Sequence, residues 1–309
     1  MANIIALVWD FDKTLIPGYM QDPIFQEYGV DKSAFWEENN SEISELRKNG
    51  LTVNADSYYL NKFIRESSEG GKFKGLNNAK LEKLGEKIEF CEGVVELFEK
   101  IEELNKSDDF DKYGIKVENY VVSTGFKRMI EGSKIRKYLT GVWGAELIDV
   151  FYEEGGDEKE KKTRIGEIAY SLDNTTKTRA LFEINKGVGI YSDSTIDVNT
   201  KIPLDDRRVR FENIIYIADG PSDIPAFSVV RQKNGSTLAV YAPGNEESYS
   251  SADKLRLEGR VQMIAEANYN EKTTARFWIL KRINERVEQI KSETVQVYKR
   301  EPGTPKHIV

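Results

Sequence analysis

The sequence predicts an α/β protein, with a doubly wound, Rossmann-like parallel sheet and an α-helical insertion directly after the first strand. Three observations lead there. Four short apolar runs rich in β-branched residues, at 4–9, 117–122, 214–218 and 237–242, lack polar alternation. Each therefore reads as a strand buried on both faces. Helical patterns separate the later runs, as in Val94, Val95, Leu97, Phe98, Ile101 and Leu104, whose spacing gives an apolar stripe opposite a charged face. Between about Ile16 and Phe90 the alternation stops: no convincing strand occurs there, only amphipathic helical segments.

Taken in order, the first strand is "NIIALVW", which ends on the carboxylates Asp10 and Asp12. The insertion follows, with helices expected over 22–48, 54–66 and 78–88; Asn54 and Asn78 are placed to cap the helices they precede. "SSEGGKFKG" at 67–75 is a glycine-rich loop. The aromatics Phe25, Tyr28, Phe35, Trp36, Tyr58 and Tyr59 recur at helical spacing, and the first expectation for them is the core of the insertion rather than a pocket. "FYEEGGDEKEKKTRIGEIAY" at 151–170 reads as an exposed hairpin whose Lys159, Lys161 and Lys162 are solvated. A long surface-packing helix is expected over 272–292, through Phe277, Leu280, Ile283, Val287 and Ile290, before a frayed proline-containing tail. This gives a core of residues 1–15 and 91–309 and a helical cap of residues 16–90.

Composition narrows the function. The 309 residues carry 52 acidic and 45 basic side chains, a formal charge of −7, interspersed along the chain. A nucleic-acid binder would concentrate basic charge on one face, so nucleic acid is not an expected partner. The apolar N-terminal run is too short to span a bilayer, and no basic leader precedes it, so a cytoplasmic protein without membrane attachment is expected. The single cysteine, Cys91, excludes an internal disulfide and reads as a small buried hydrophobe. The single histidine, His307, lies in the tail, which excludes histidine-based catalysis.

Chemistry must then rest on carboxylates, hydroxyls, lysines and a metal. In open α/β sheets ligands bind beyond the carboxyl ends of the strands. The polar residues there are Asp10 and Asp12, Ser123 and Thr124, Asp219 and Asp223, and the softer "APGN" at 242–245. Convergence of Asp10, Asp219 and Asp223 would require a neutralising cation, and an oxygen-only ligand set favours Mg²⁺. The plainer alternative is that Asp10 and Asp12 form a turn and Asp223 caps the helix near Pro225.

"DFDKTL" at 10–15, "VVSTG" at 121–125, "NTTKTRAL" at 174–181 and "IADGPSD" at 217–223 resemble, in order and context, the four motifs of haloacid dehalogenase-like phosphatases. The layout of "STGFKRMI" and of the cap is most similar to the phosphoserine phosphatase branch. The resemblance implies that Asp10 is the nucleophile forming an aspartyl-phosphate, that Asp12 is the general acid and then base, and that its backbone carbonyl binds Mg²⁺. It implies that Ser123, with Thr124, Gly125 and Lys177, binds the phosphoryl group. Asp219 would ligate the metal, and Asp223 would either ligate through water or orient Lys177. Lys186 is a rival to Lys177, which is favoured because Ala180, Leu181 and Ile184 pack down behind it. Ala218 replaces a common family glycine, and Thr124 another. Lys13 is expected to point away from both carboxylates.

The implied activity is Mg²⁺-dependent hydrolysis of a small phosphorylated metabolite. Asp12 argues against dehalogenation, since a departing halide needs no proton. A phosphotransferase or phosphomutase would use the same core. A phosphonate hydrolase would add a cap lysine, for which Lys32, Lys48 and Lys62 are available, and an inactive phosphoryl-ligand binder would have the same fold.

Overall fold

The computed structural model describes residues 3–154, 160–190 and 195–300. The elements run β1 (Ile4–Trp9), α1 (Asp22–Tyr28), α2 (Lys32–Lys48), α3 (Ala55–Glu66), α4 (Asn78–Gly85), α5 (Val94–Asn105), α6 (Asp108–Lys112), β2 (Lys116–Phe126) and α7 (Lys127–Gly132). They continue β3 (Leu139–Glu154), β4 (Glu160–Tyr170), α8 (Lys177–Lys186), β5 (Ile214–Ala218), α9 (Ile224–Gln232), β6 (Ser236–Tyr241), α10 (Glu246–Leu257), β7 (Met263–Glu266) and α11 (Thr274–Arg300). One seven-stranded sheet has the order β4-β3-β2-β1-β5-β6-β7, parallel except for β4.

The four apolar runs all become strands, and both faces of the sheet are covered. Ile5, Leu7, Trp9, Val121, Ile215 and Ile217 face α5, α11 and the insertion, while Ala6, Val8, Val122, Tyr216 and Ala218 face α8, α9 and α10. Three strands escape the sequence pattern. β3 is interrupted by Gly141 and Gly144, β4 pairs antiparallel on a half-exposed edge, and β7 is only four residues long. The expected hairpin is therefore part of the sheet, with its first strand starting at Leu139. Ile165 is fully buried, because the insertion covers that wall: Ile165 N–H donates to the Leu76 carbonyl at 2.8 Å, and its own carbonyl accepts from Ser67 Oγ at 2.9 Å. The hairpin's charged centre and Lys159 lie outside the described residues, as do 301–309 with His307.

Four local expectations are corrected. The segment 22–48 is two helices, because Gly29 takes a left-handed φ of 62° that ends α1, and Asp31 caps α2 by accepting from Ala34 N–H. Asn54 caps α3 as expected, but α4 is capped by Asn77, not Asn78, and ends at Gly85, not Ile88. Phe277 is 60% exposed; Trp278 and Ile279 bury instead in α11, beside Ile283, Val287 and Ile290. Cys91 is only half-buried, though burial still pushes its thiol up to about 11.

The insertion shares one continuous core with the sheet. Phe63 stacks on Phe73 at 4.8 Å and meets Phe126 of β2 edge-on at 5.2 Å, while Phe25 and Phe35 pack around them. Among the described residues, no helix is long and apolar enough to cross a membrane.

Candidate active site

The chain leaves β1 toward β2, β3 and β4 on one side and returns to β5, β6 and β7 on the other, so the order reverses at β1. That is the switch point at which open α/β sheets bind ligands. Asp10 follows β1 directly and its N–H still donates to Ile217 of β5 at 2.9 Å; Asp219 follows β5. The register Trp9↔Val121 sets Ser123 of β2 at the same edge.

Lys177 is the first residue of α8, where a helix dipole favours an anion. It is fully enclosed, and its Nζ donates to Asp10 Oδ1 and to Asp223 Oδ1, both at 2.7 Å. Burial alone would lower its pKa, but Asp10 and Asp223 overcome this and hold it well above the ordinary lysine value. The rival Lys186 turns away, donating to the carbonyls of Val198 and Thr200.

Asp223 also accepts from Tyr216 Oη at 2.5 Å and from Ser222 Oγ at 2.7 Å. It occupies the position before α9, yet its side chain makes no capping bond, so the helix-cap alternative fails. Carboxylate oxygens of Asp10, Asp219 and Asp223 lie within 4.8 Å of one another. Burial raises Asp10 well above the ordinary carboxylate range; Lys177 opposes this, while Asp223 and Asp219 add to it. Burial likewise pushes Asp219 up to about 6, aided by Asp223 and opposed by Lys177 and Lys13. Such a set, oxygen-only and short of positive charge, fits Mg²⁺.

The Asp12 carboxylate is not in that cluster. It borders a separate pocket, where Met20 N–H holds its Oδ1 at 2.8 Å. Burial pushes Asp12 up to about 7, against the Met20 hydrogen bond and Lys177. A carboxyl near 7 can both give and take a proton at neutral pH. Ser123 is buried and accepts from Gly125 N–H at 3.1 Å; Thr124 offers its carbonyl to Tyr59 Oη at 2.7 Å. A Cβ on Gly125 would collide with Met20, the residue that holds Asp12.

Lys13 does not follow strand alternation, because residues 11–16 form a tight turn with N–H groups of Thr14, Leu15 and Ile16 converging on the Phe11 carbonyl. Lys13 takes a φ of 56° and sits 4.5 Å over the Tyr19 ring. Burial lowers its pKa, but Tyr19 above all, and then Asp219 and Asp12, raise it; its close contact is with the Tyr19 ring rather than with either carboxylate.

No family model matches the chain. An uncharacterized protein of Borreliella burgdorferi strain B31 is 42% identical over 289 residues, spanning 91% of this chain and 97% of that protein. A probable phosphoserine phosphatase of Vibrio cholerae, in its unliganded form, superposes with a TM-score of 0.50 at 14% identity, covering 94% of this chain and 67% of that one. The chain belongs to the family of the Borreliella protein, and its fold is haloacid dehalogenase-like. A haloacid dehalogenase family hydrolase of Salmonella enterica serovar Typhi gives a TM-score of 0.48 at 15% identity over 86% of this chain and 68% of that one.

Within this haloacid dehalogenase-like fold, sequence reasoning missed Tyr216, Ser222 and the pocket residues of the insertion. Tyr216 had a signal: it is the one hydroxyl in the strand "IIYIA", and a buried tyrosine needs a partner for its O–H. Of the aromatics expected to be insertion core, Phe25 and Phe35 are, whereas Trp36 and Tyr59 also line the pocket beside Asp12.

Proposed function

We propose that the chain is a Mg²⁺-dependent phosphatase that hydrolyses a small phosphomonoester through an aspartyl-phosphate on Asp10. The observation that carries this is the buried contact of Asp10 with Lys177 at the switch point, within a cluster of the three carboxylates Asp10, Asp219 and Asp223.

In this reading the Asp10 carboxylate attacks phosphorus while the bond to the leaving alkoxide breaks, and Asp12 gives that alkoxide a proton. Asp12 then takes a proton from water, whose oxygen attacks the phosphoryl group and frees inorganic phosphate and Asp10. Lys177 orients Asp10 and offsets negative charge on it and on the phosphoryl oxygens; Ser123 with the Thr124 and Gly125 segment holds those oxygens. Asp223, fixed by Lys177, Tyr216 and Ser222, positions the lysine. The Asp10 and Asp219 carboxylates, the Asp12 backbone carbonyl and Asp223 through water would hold Mg²⁺, which when bound supplies charge neutralisation between two anions.

Residues 16–90 are read as a cap over a core of 1–15 and 91–309, and the single cysteine, which can form no internal disulfide, suits work in the cytoplasm. Phosphonate cleavage is disfavoured. Lys62 is occupied by Glu42 at 3.0 Å, Lys48 lies at a different surface groove, and Lys32, the one that reaches the pocket, is paired with Asp22. The test is phosphate release from a generic phosphomonoester with and without Mg²⁺. Turnover should require the metal and vanish in a folded Asp10→Asn variant; full activity in excess chelator would overturn the proposal.

A further inference from the structure

The pocket bordered by Asp12 has a volume of about 600 Å³ and a roof made by α2 and α3. Its position beside the proposed acid means that it receives the leaving alcohol. We propose that this alcohol carries a primary ammonium and no carboxylate, so that the substrate is the phosphate monoester of a small amino alcohol. The inference rests on the phosphatase reading and names the substrate class for it.

Charge is the first argument. Asp22, Glu37 and Asp56 line the pocket, and Lys32 is the only lysine or arginine among the described residues that does so. Lys32 Nζ is already paired with Asp22 Oδ2 at 3.2 Å. Glu37 and Asp56 therefore leave the pocket negative, and a substrate carboxylate or second phosphate would meet repulsion without an unpaired cation to receive it. Trp36 and Tyr59, with ring centroids 5.7 Å apart, add aromatic surface of the kind that attracts a cation.

An independent observation points to N–H donors on the ligand. Gln21 lines the same pocket, is only 4% exposed, and its Oε1 has no hydrogen-bond partner. A buried amide oxygen without a donor is costly, and a ligand donor placed there would remove that cost. The Tyr59 hydroxyl cannot serve, because it gives its proton to the Thr124 carbonyl at 2.7 Å. A primary ammonium satisfies Gln21 and the carboxylates together, whereas a quaternary ammonium has no N–H to give.

The test uses the full chain with Mg²⁺ and measures phosphate release from phosphoethanolamine, phosphocholine, O-phosphoserine and glycerol phosphate, with p-nitrophenyl phosphate as the generic ester. The expected kcat/KM for phosphoethanolamine exceeds each of the other three natural-type esters by about tenfold, the scale of one partly exposed charge contact. Glu37→Gln and Gln21→Leu should each pull the ratio of phosphoethanolamine to glycerol phosphate toward one. Equal or better turnover of O-phosphoserine would overturn the exclusion of a carboxylate, and equal or better turnover of glycerol phosphate would overturn the ammonium assignment, each leaving the phosphatase reading intact. A preference for phosphocholine would overturn the primary amine and the role of Gln21. Release from none of the esters, the generic one included, would overturn the phosphatase reading and this inference with it.

Discussion

The sheet buries ionic groups at both ends, and the two ends are balanced differently. At the amino end, Glu118 of β2 faces Arg208, whose two nitrogens reach the carboxylate at 2.7 and 2.8 Å, with Tyr120 and Lys116 alongside. Acid and base match there, and every oxygen has a partner. At the carboxyl end, Lys177 stands against Asp10 and Asp223 directly, with Asp219 beside them and Asp12 two residues after Asp10. Both arrangements take charge out of water, which costs several kcal/mol per ion unless compensated. The amino end is complete as it stands, whereas the carboxyl end is anionic and gains most from a cation and a ligand. A surplus of like charge, rather than burial as such, is what separates a site from a structural ion pair.

Removing the lysine strains that comparison most. Lys177→Met should cost about 3–5 kcal/mol of stability by leaving the buried Asp10 and Asp223 without a counter-charge, and should abolish turnover. Urea unfolding and a phosphate-release assay check the two effects. Arg208→Met should cost about 3 kcal/mol, since Lys116 remains near Glu118, yet leave kcat per folded molecule unchanged. Loss of kcat in that variant would mean that the ends are coupled.

Mg²⁺ should act on one end alone. At a hundred times its dissociation constant it should stabilise the protein by about 2.7 kcal/mol, and this gain should be absent in Asp219→Asn, read by thermal unfolding with and without the ion.

Acid distinguishes the ends again. Burial alone would raise the Glu118 pKa, but Arg208 and Tyr120 hold it below its ordinary value of 4.5. A carboxylate depressed in the folded state contributes stability that is present above its unfolded value and lost as pH falls through the folded one. The difference in denaturation midpoint between the native protein and Arg208→Met should therefore shrink as pH falls below about 4.5.

The smallest effect concerns the roof. Asn54 caps α3 and its Nδ2 donates to Asp173 Oδ2 at 3.1 Å, tying the insertion to the loop before Lys177. Asn54→Ala should cost about 1 kcal/mol, and a rise in KM larger than any fall in kcat would place its role in closing the pocket.

The floor of the site was legible because strand ends deliver it. An apolar run followed by Asp10 and Asp12, or by Asp219 and Asp223, announces both the strand and the residues at its carboxyl edge, whatever the rest of the chain does. Lys177 was legible through the motif "NTTKTRAL" and through Ala180, Leu181 and Ile184, which pack down behind it. The roof was not legible, because helical spacing cannot say which side of Trp36 or Tyr59 meets solvent; packing of Phe63, Phe73 and Phe126 decides that. Strands β3 and β4 were obscured for a similar reason, since their exposed faces and glycines blur the alternation until the neighbouring strand and the insertion are in place.

The most direct measurement is acid quenching during turnover of a phosphomonoester labelled in its phosphoryl group, followed by mapping of the label in the chain. The expected result is a hydroxylamine-labile phosphoryl group on Asp10, formed only with Mg²⁺ present and lost in Asp10→Asn. Label on another residue, or full turnover with no labelled protein in a quench fast enough to resolve it, would contradict nucleophilic catalysis by Asp10.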